Sequence, residues 1–293
     1  MKTILITGAT GLLGSSLVPH FKGCGYKVVT HAFSSKADFM FDLADKAKTL
    51  QMLNEINPTQ IINLVSMTSV EKCEEKVNLA YLANTHSVEN LAHWLRTSKN
   101  QCHLIHISTD HVYDGDGISL NKEDDIKITN TYALTKYAGE LALSNLPCTV
   151  LRTNFVGKSR IKDRESLTDW VFKSSCANAN VNVLDDVYFN PLSISILCEM
   201  IEIVVKKNLL GTYNLGSRNG MSKADFDFVF AEYLDLSTNN MNRIGIGDAT
   251  FFKAYRPKDM RTDVSKFEKS CNIQLPELND IIKQVANEYK SKS

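Results

Sequence analysis

The chain has 293 residues, 43% apolar and 23% charged, enough for the core of one large α/β unit, with or without a smaller attachment. Lysine plus arginine equals aspartate plus glutamate at 33 each, so the net charge of zero favours neither nucleic acid nor an anionic membrane as a partner. Seven cysteines, an odd number with no CxxC pair, exclude a disulfide framework and a cysteine-based zinc site and read as small buried hydrophobes.

The opening run Met1–Gly8 is too short for a signal peptide, and no window approaches the ~20 apolar residues of a membrane span. The expected location is the cytoplasm. Residues 3–7 read as an apolar strand ending at glycine, residues 12–22 as a helix, and residues 26–30 as a β-rich strand. Pro19 falls inside that first helix and should kink it or end its regular bonding. An amphipathic helix over 46–57 is closed by Pro58, and a buried strand follows over 59–66. Then come a long helix over 78–98, a strand over 103–108, a helix over 131–144 and a strand over 148–153. Strands alternating with helices call for a parallel sheet covered on both faces, the doubly wound Rossmann class of α/β fold. After about residue 154 the rhythm loosens. Residues 1–157 are expected to form a dinucleotide-binding domain and 158–293 a substrate-binding portion, with 193–215 returning to the first domain as a helix and a strand.

Gly8, Gly11 and Gly14 make a GxxGxxG between the first strand and first helix. The first glycine allows the tight turn, the second lets the backbone approach a pyrophosphate, and the third allows close packing of helix on strand. The helix N-terminus supplies N–H groups and a positive dipole end. Thr10, Leu12 and Leu13 belong to the same loop. An acid at the tip of the second strand would bind the ribose 2′-hydroxyl of NAD. The segment from Thr30 to Lys36 has none, and His31, Ser34, Ser35 and Lys36 could instead receive a 2′-phosphate. A solvated loop is the competing reading there. The cofactor is therefore left as NADP(H) or NAD(H), with NADPH expected to serve at least as well.

Tyr132 and Lys136 form a YxxxK, and on a helix residues four apart share a face. The lysine should favour ionisation of the phenol and make it a usable acid or base. YxxxK alone is a common chance match. Its position raises it: it follows a strand ending at Ser108-Thr109-Asp110, and the C-terminal ends of strands face the ligand crevice in such sheets. Thr109 could then reach a substrate carbonyl.

GATGLLG, HISTDHVYDGDG, NTYALTKYAGE and LRTN together resemble the extended short-chain dehydrogenase/reductase superfamily. INPTQIINLVSMTSVEKCEE, YLANTHSVENLA and RPKDMRTDVSKFEK are most similar to the dTDP-4-dehydrorhamnose reductases, and the resemblance is thinner over 158–250. The resemblance implies an NAD(P)H-dependent reduction of a 4-keto-6-deoxy sugar nucleotide, with Thr109, Tyr132 and Lys136 catalytic. It implies Asp42 and Leu43 at the adenine, and Asn63, Ser66 and Asn84 along the cofactor groove or behind the lysine. Two segments depart from the family: Thr153-Asn154-Phe155 stands for its Thr-Ser-Trp, and residues 187–192 for its Gln-Phe-Gly-x-Pro-Thr. Asn154, Phe155 and Asn190 are expected at the sugar. Arg256, in the basic loop 255–261, is expected at the phosphates. Partners are then a nucleotide sugar and, as an open assembly state, a second copy of the chain.

His103 and His106 lie three apart on a strand and should face opposite ways, so no metal is expected from them with His111. Glu71, Cys73, Glu74 and Glu75 read as a solvated helix start, residues 122–125 as an exposed loop, and Trp94 and Trp170 as packing residues. Two rivals stay open: another sugar-nucleotide epimerase or dehydratase, and a non-catalytic NADP-binding subunit like the regulatory subunit of methionine adenosyltransferase. Asp110-His111 is a poor match for a dehydratase acid/base pair.

Overall fold

A computed structural model describes residues 2–162 and 164–290. Its centre is a sheet of β1 (Thr3–Thr7), β2 (Lys27–Ala32), β3 (Phe39–Met40), β4 (Gln60–Asn63), β5 (His103–Thr109), β6 (Cys148–Thr153) and, much later, β11 (Gly211–Leu215). The spatial order is β11-β6-β5-β4-β1-β2-β3 and every pairing is parallel. The order reverses between β1 and β4, which is the switch point where doubly wound sheets take ligands.

Side-chain alternation along β1 divides the core. Ile4 and Ile6 face one layer and Leu5 the other. The Leu5 layer packs α2 (Lys46–Ile56) and α5 (Ser87–Thr97) on the sheet through Met52, Leu53, Leu91 and Trp94. The other layer runs on without a break at residue 157. It joins α1 (Gly14–Gly23) and α8 (Ile194–Lys207) to α9 (Lys223–Tyr233) and α11 (Leu278–Lys290) through Leu17, Phe226, Phe230 and Ile281. The smaller strands are β7 (Phe155–Val156), β8 (Val181–Leu184), β9 (Tyr188–Phe189), β10 (Leu192–Ser193), β12 (Met221–Ser222) and β13 (Met241–Ile244). They pair as three separate two-stranded ribbons around this second region. Among the described residues no helix is long and apolar enough to cross a membrane.

The helices begin and end where short polar side chains satisfy the free backbone groups. Asp45, Asn130, Ser193 and Ser222 accept from N–H groups in the first turns that follow them, and Ser166 with Asp169 forms a capping box on α7 (Leu167–Cys176). Asn57, Asn208 and Asn272 close helices in the left-handed conformation, φ 47°, 49° and 53°. Pro19 does not end α1, which runs on to Gly23. The N–H it lacks would have bonded Ser15, in the first turn, where an irregularity is easily borne.

The expected single helix over 78–98 is interrupted. After α3 (Val70–Glu75) and α4 (Val77–Tyr81), residues Leu82–His86 form a π-helical turn before α5. The extra residue of such a turn is not visible in hydrophobic spacing. It lies against α6 (Thr131–Ala142), and a Cβ added at Gly139 would sit 2.5 Å from the Asn84 carbonyl oxygen. Gly139→Ala should therefore force the two helices apart and destabilise the fold by roughly 1–3 kcal/mol. A thermal melt checks this: the variant should melt several degrees lower, whereas an unchanged melting temperature would mean that the turn gives way freely.

Candidate active site

The loop from Gly8 to Gly14 wraps the N-terminus of α1. Gly8 has φ +68°, and a Cβ at Gly14 would lie 2.5 Å from the Ala9 carbonyl oxygen, so neither position accepts another residue without movement. Ala9 N–H donates to the His31 carbonyl at 3.0 Å, tying the loop to β2. No side chain caps α1; the Ser15 and Ser16 N–H groups of its first turn donate to the Gly11 and Leu13 carbonyls at 2.9 and 3.1 Å. The cradle fits the pyrophosphate of a dinucleotide. Leu13 is buried in the core, while Thr10, Gly11 and Leu12 stay partly open.

The tip of β2 corrects one expectation. His31 is 1% exposed, its Nε2 bonds the Phe41 carbonyl at 3.1 Å, and burial lowers it to about 4. A neutral, enclosed ring cannot receive a 2′-phosphate. Ser34 and Ser35 are exposed. Lys36 lines a cleft of about 500 Å³ with Ala9, Thr10 and Thr30, and across it stand Arg160 and Lys162. Those two cations come from a loop far along the chain, so no reading of the β2 tip could include them. The Asp38 carboxylate accepts from the Thr30 backbone N–H at 2.8 Å and hydroxyl at 2.7 Å. Asp42 is exposed, whereas the Leu43 side chain is core and its carbonyl accepts from the buried Thr49 and Asn90 side chains.

β5 and α6 bring the proposed catalytic side chains together. Tyr132 and Lys136 are 9% and 2% exposed, and Thr109 is 4% exposed. Burial pushes the phenol up to about 12, against the pull of the Thr109 and Ser66 hydroxyls beside it. Lys136 does not point at the phenol. Its ammonium donates to the Ile107 carbonyl at 2.7 Å, meets His106 Nε2 at 3.4 Å, and is lowered to about 8 by burial. The expected lowering of the tyrosine by the lysine is thus not present here. Asn84, carried inward by the π-turn, accepts from Ser66 Oγ at 2.9 Å and Met67 N–H at 2.7 Å and donates to Thr135 at 3.0 Å. Asn63 is fully buried and reaches His106, so it supports the lysine from behind.

A buried ion pair fixes α6 against the sheet. Arg152 donates to Glu140 through Nε and Nη2, the shortest contact being 2.6 Å, and through Nη1 to Tyr113 and the Glu123 carbonyl. The loop over 122–125 is exposed except at Glu123, which also accepts from the Asn214 N–H. The segment 71–75 is likewise more than solvated surface. Cys73 is buried, and Glu74 takes the Thr131 N–H and hydroxyl at 2.7 Å each, holding the start of α6. Glu71 pairs with Arg256 at 2.9 Å.

Lys223 and Arg256 stand near Tyr132 and His111, with the acids Asp110 and Glu71 beside them. His111 stacks edge-on against Tyr132 with ring centroids 5.4 Å apart; burial, then the charges of Lys223 and Arg256, lower it to about 3. The Arg256 guanidinium lies 4.6 Å from the Phe252 ring, and its Nε is buried with no partner among the described residues. Asn154, beside Phe155, donates to Asp110 at 2.8 Å, and burial raises Asp110 to about 6. Asn190 is a correction. Its amide is spent on Ser217, Thr262 and the backbone around them, and it is 4% exposed, so it braces the wall and cannot contact a sugar.

His103 bonds Thr149 and His106 bonds Asn63 and Lys136, so the histidines do not converge. Among the described residues the three-membered cluster of possible metal ligands is His20, Cys24 and Glu202, on α1 and α8. Lys206 already pairs with that glutamate at 2.7 Å. Cys24 and Cys176 are exposed, contrary to the reading of all seven cysteines as buried. Trp94 is buried with its N–H on Asn54, and Trp170 packs on the main core.

The RmlD substrate binding domain family matches residues 1–291. The chain belongs to this family. It is 26% identical to the dTDP-4-dehydrorhamnose reductase of Salmonella typhimurium, with 97% of each covered. It is also 26% identical to methionine adenosyltransferase 2 subunit beta of Rattus norvegicus, over 91% of this chain and 82% of that one. The dTDP-4-dehydrorhamnose reductase of Bacillus anthracis, crystallised with NADP, superposes with a TM-score of 0.88 at 24% identity over 98% of this chain and 100% of that one. The fold is therefore the Rossmann-like fold of these reductases.

Proposed function

We propose that the chain is an NAD(P)H-dependent reductase of a 4-keto-6-deoxy sugar carried on a nucleotide, of the dTDP-4-dehydrorhamnose reductase kind. The observation that carries this reading is the Thr109 hydroxyl beside the Tyr132 phenol at the C-terminal edge of the sheet, with Lys136 buried one helical turn on.

A bound nicotinamide would supply the hydride. The chain's own part is to hold the carbonyl and deliver a proton. Thr109 Oγ1, next to the phenol, donates to the carbonyl oxygen. Tyr132 keeps its proton in the enclosed site and releases it as charge develops on that oxygen. Lys136 stands one turn behind it to bond the ribose and replace the lost proton. Ser66 and Asn84 keep the floor of the groove rigid, and Arg256 receives the phosphates through its planar fork.

The equal identity to a subunit of methionine adenosyltransferase favours a second reading, a non-catalytic dinucleotide-binding subunit. The neighbouring exposed side chains Val77 and Tyr81 on α4 and Leu134 and Leu141 on α6 are compatible with pairing of two copies under either reading. Turnover separates them. Tyr132→Phe should lower kcat by roughly 10²–10⁴ and leave cofactor binding nearly unchanged, while Arg256→Ala should raise KM for the nucleotide sugar. Steady-state kinetics that show full activity in Tyr132→Phe, or no turnover in the parent protein, contradict the reductase reading.

Arg160, Lys162 and Lys36 support NADPH as the preferred form, since an arginine fork across the cleft can clamp a 2′-phosphate. Arg160→Ala should weaken NADPH roughly tenfold, about 1.4 kcal/mol, with little effect on NADH. Fluorescence titration with both nucleotides checks it, and equal losses for the two would place the 2′ position elsewhere.

A further inference from the structure

Behind the Tyr132–Lys136 pair runs a row of buried polar groups that the proposed reaction leaves without a role. Thr7 Oγ1 donates to Asn63 Oδ1 at 2.6 Å, and the Val65 backbone N–H donates to the same oxygen at 3.3 Å. A backbone N–H cannot accept, so the orientation of the Asn63 amide is determined: its Nδ2 is the group facing His106 Nδ1, at 3.0 Å. Nδ1 must then be the unprotonated ring nitrogen. His106 is 0% exposed, and burial, followed by the charge on Lys136, keeps its ring neutral. A neutral imidazole that accepts at Nδ1 carries its proton on Nε2, and Nε2 is the atom 3.4 Å from Lys136 Nζ.

Two donors therefore face each other when Lys136 is an ammonium. A neutral amine, by contrast, completes the row, taking the Nε2–H on its lone pair while still donating to the Ile107 carbonyl at 2.7 Å. The other charged and titratable neighbours are accounted for. Glu140, one turn along α6, favours the ammonium but is neutralised by Arg152 of β6. Tyr132 lies one turn the other way, with Asp110 and Cys73 acting on its phenol.

We propose that His106 is a positioning residue that acts through Lys136: by offering Nε2–H rather than an acceptor, it makes the lysine a ready proton donor to the tyrosine and sets the pH above which the pair no longer works. This rests on the reading of Tyr132 and Lys136 as the proton-transfer pair. It adds a control on that pair, located on β5 and reached through Asn63 of β4 and Thr7 of β1.

The test has an arm that needs no turnover. In protein carrying ¹⁵N-histidine, the His106 ring should show the neutral Nε2–H tautomer throughout pH 6–9; an Nδ1–H tautomer, or a protonated ring, overturns the proposal. A second arm follows ¹³C-labelled lysine, with the Lys136 signal assigned by its loss in Lys136→Met. In His106→Gln, whose side-chain oxygen can face the ammonium, the Lys136 titration should move up by about one pH unit. The alkaline limb of kcat should move with it. A His106→Gln protein that loses activity or stability while both midpoints stay where they were would show a merely structural histidine and sink the idea. The Nε2–H tautomer in a protein that reduces no sugar would support the proposal while counting against the assigned reaction.

Discussion

Enclosing an amine at the C-terminal edge of a parallel sheet is the constraint around which the site is arranged. Lys136 is 2% exposed, and removing an ammonium from water costs several kcal/mol unless bonds and charges replace its hydration. The Ile107 carbonyl on β5 accepts from it, whereas His106 on β5, with Asn63 of β4 and Thr7 of β1 behind it, turns Nε2–H towards it and favours the neutral amine. Parallel pairing in register, Thr7 with Asn63 and Asn63 with His106, is what lines these side chains up. The same enclosure raises the phenol of Tyr132, so that one burial acts on both members of the pair in opposite directions.

Holding α6 in place requires as much polar structure as the lysine itself. Glu74 caps its first residue, Asn84 and Thr85 reach it from the π-turn, and the Arg152–Glu140 pair anchors its second half. A buried pair of this kind is weak evidence for stability but strong evidence for a defined geometry, because a slip of the helix would leave both charges unpaired. The glycine loop and α6 lie on either side of the switch point, each with a glycine that allows backbones to meet: Gly14 against Ala9 and Gly139 against Asn84.

What the sequence made legible was local. The glycine loop, the alternation of strands and helices and the i, i+4 placement of Tyr132 and Lys136 are short-range patterns, and they specify the sheet and its ligand-facing edge. The bland readings failed where long-range packing decides the direction of a side chain. Glu71 and Glu74 look solvated in a charged stretch, yet Arg256 and the start of α6 lie opposite them. His31 sits at the right position for a ribose contact, but the close approach of Phe41 turns its ring inward. Asn190 matches a sugar-contacting position and instead satisfies a wall of backbone groups. Arg160 and Lys162 reach the β2 tip only because the second half of the chain folds back across α1.

In the proposed reaction this geometry moves a hydride to a sugar carbonyl. Incubating the protein with a 4-keto-6-deoxy sugar nucleotide and nicotinamide cofactor deuterated at C4, then analysing the sugar by NMR, tests it most directly. A single deuterium is expected at sugar C4, on one face, with one cofactor oxidised for each sugar reduced. Tight cofactor binding with no deuterium in any sugar would contradict it and leave a binding subunit in its place.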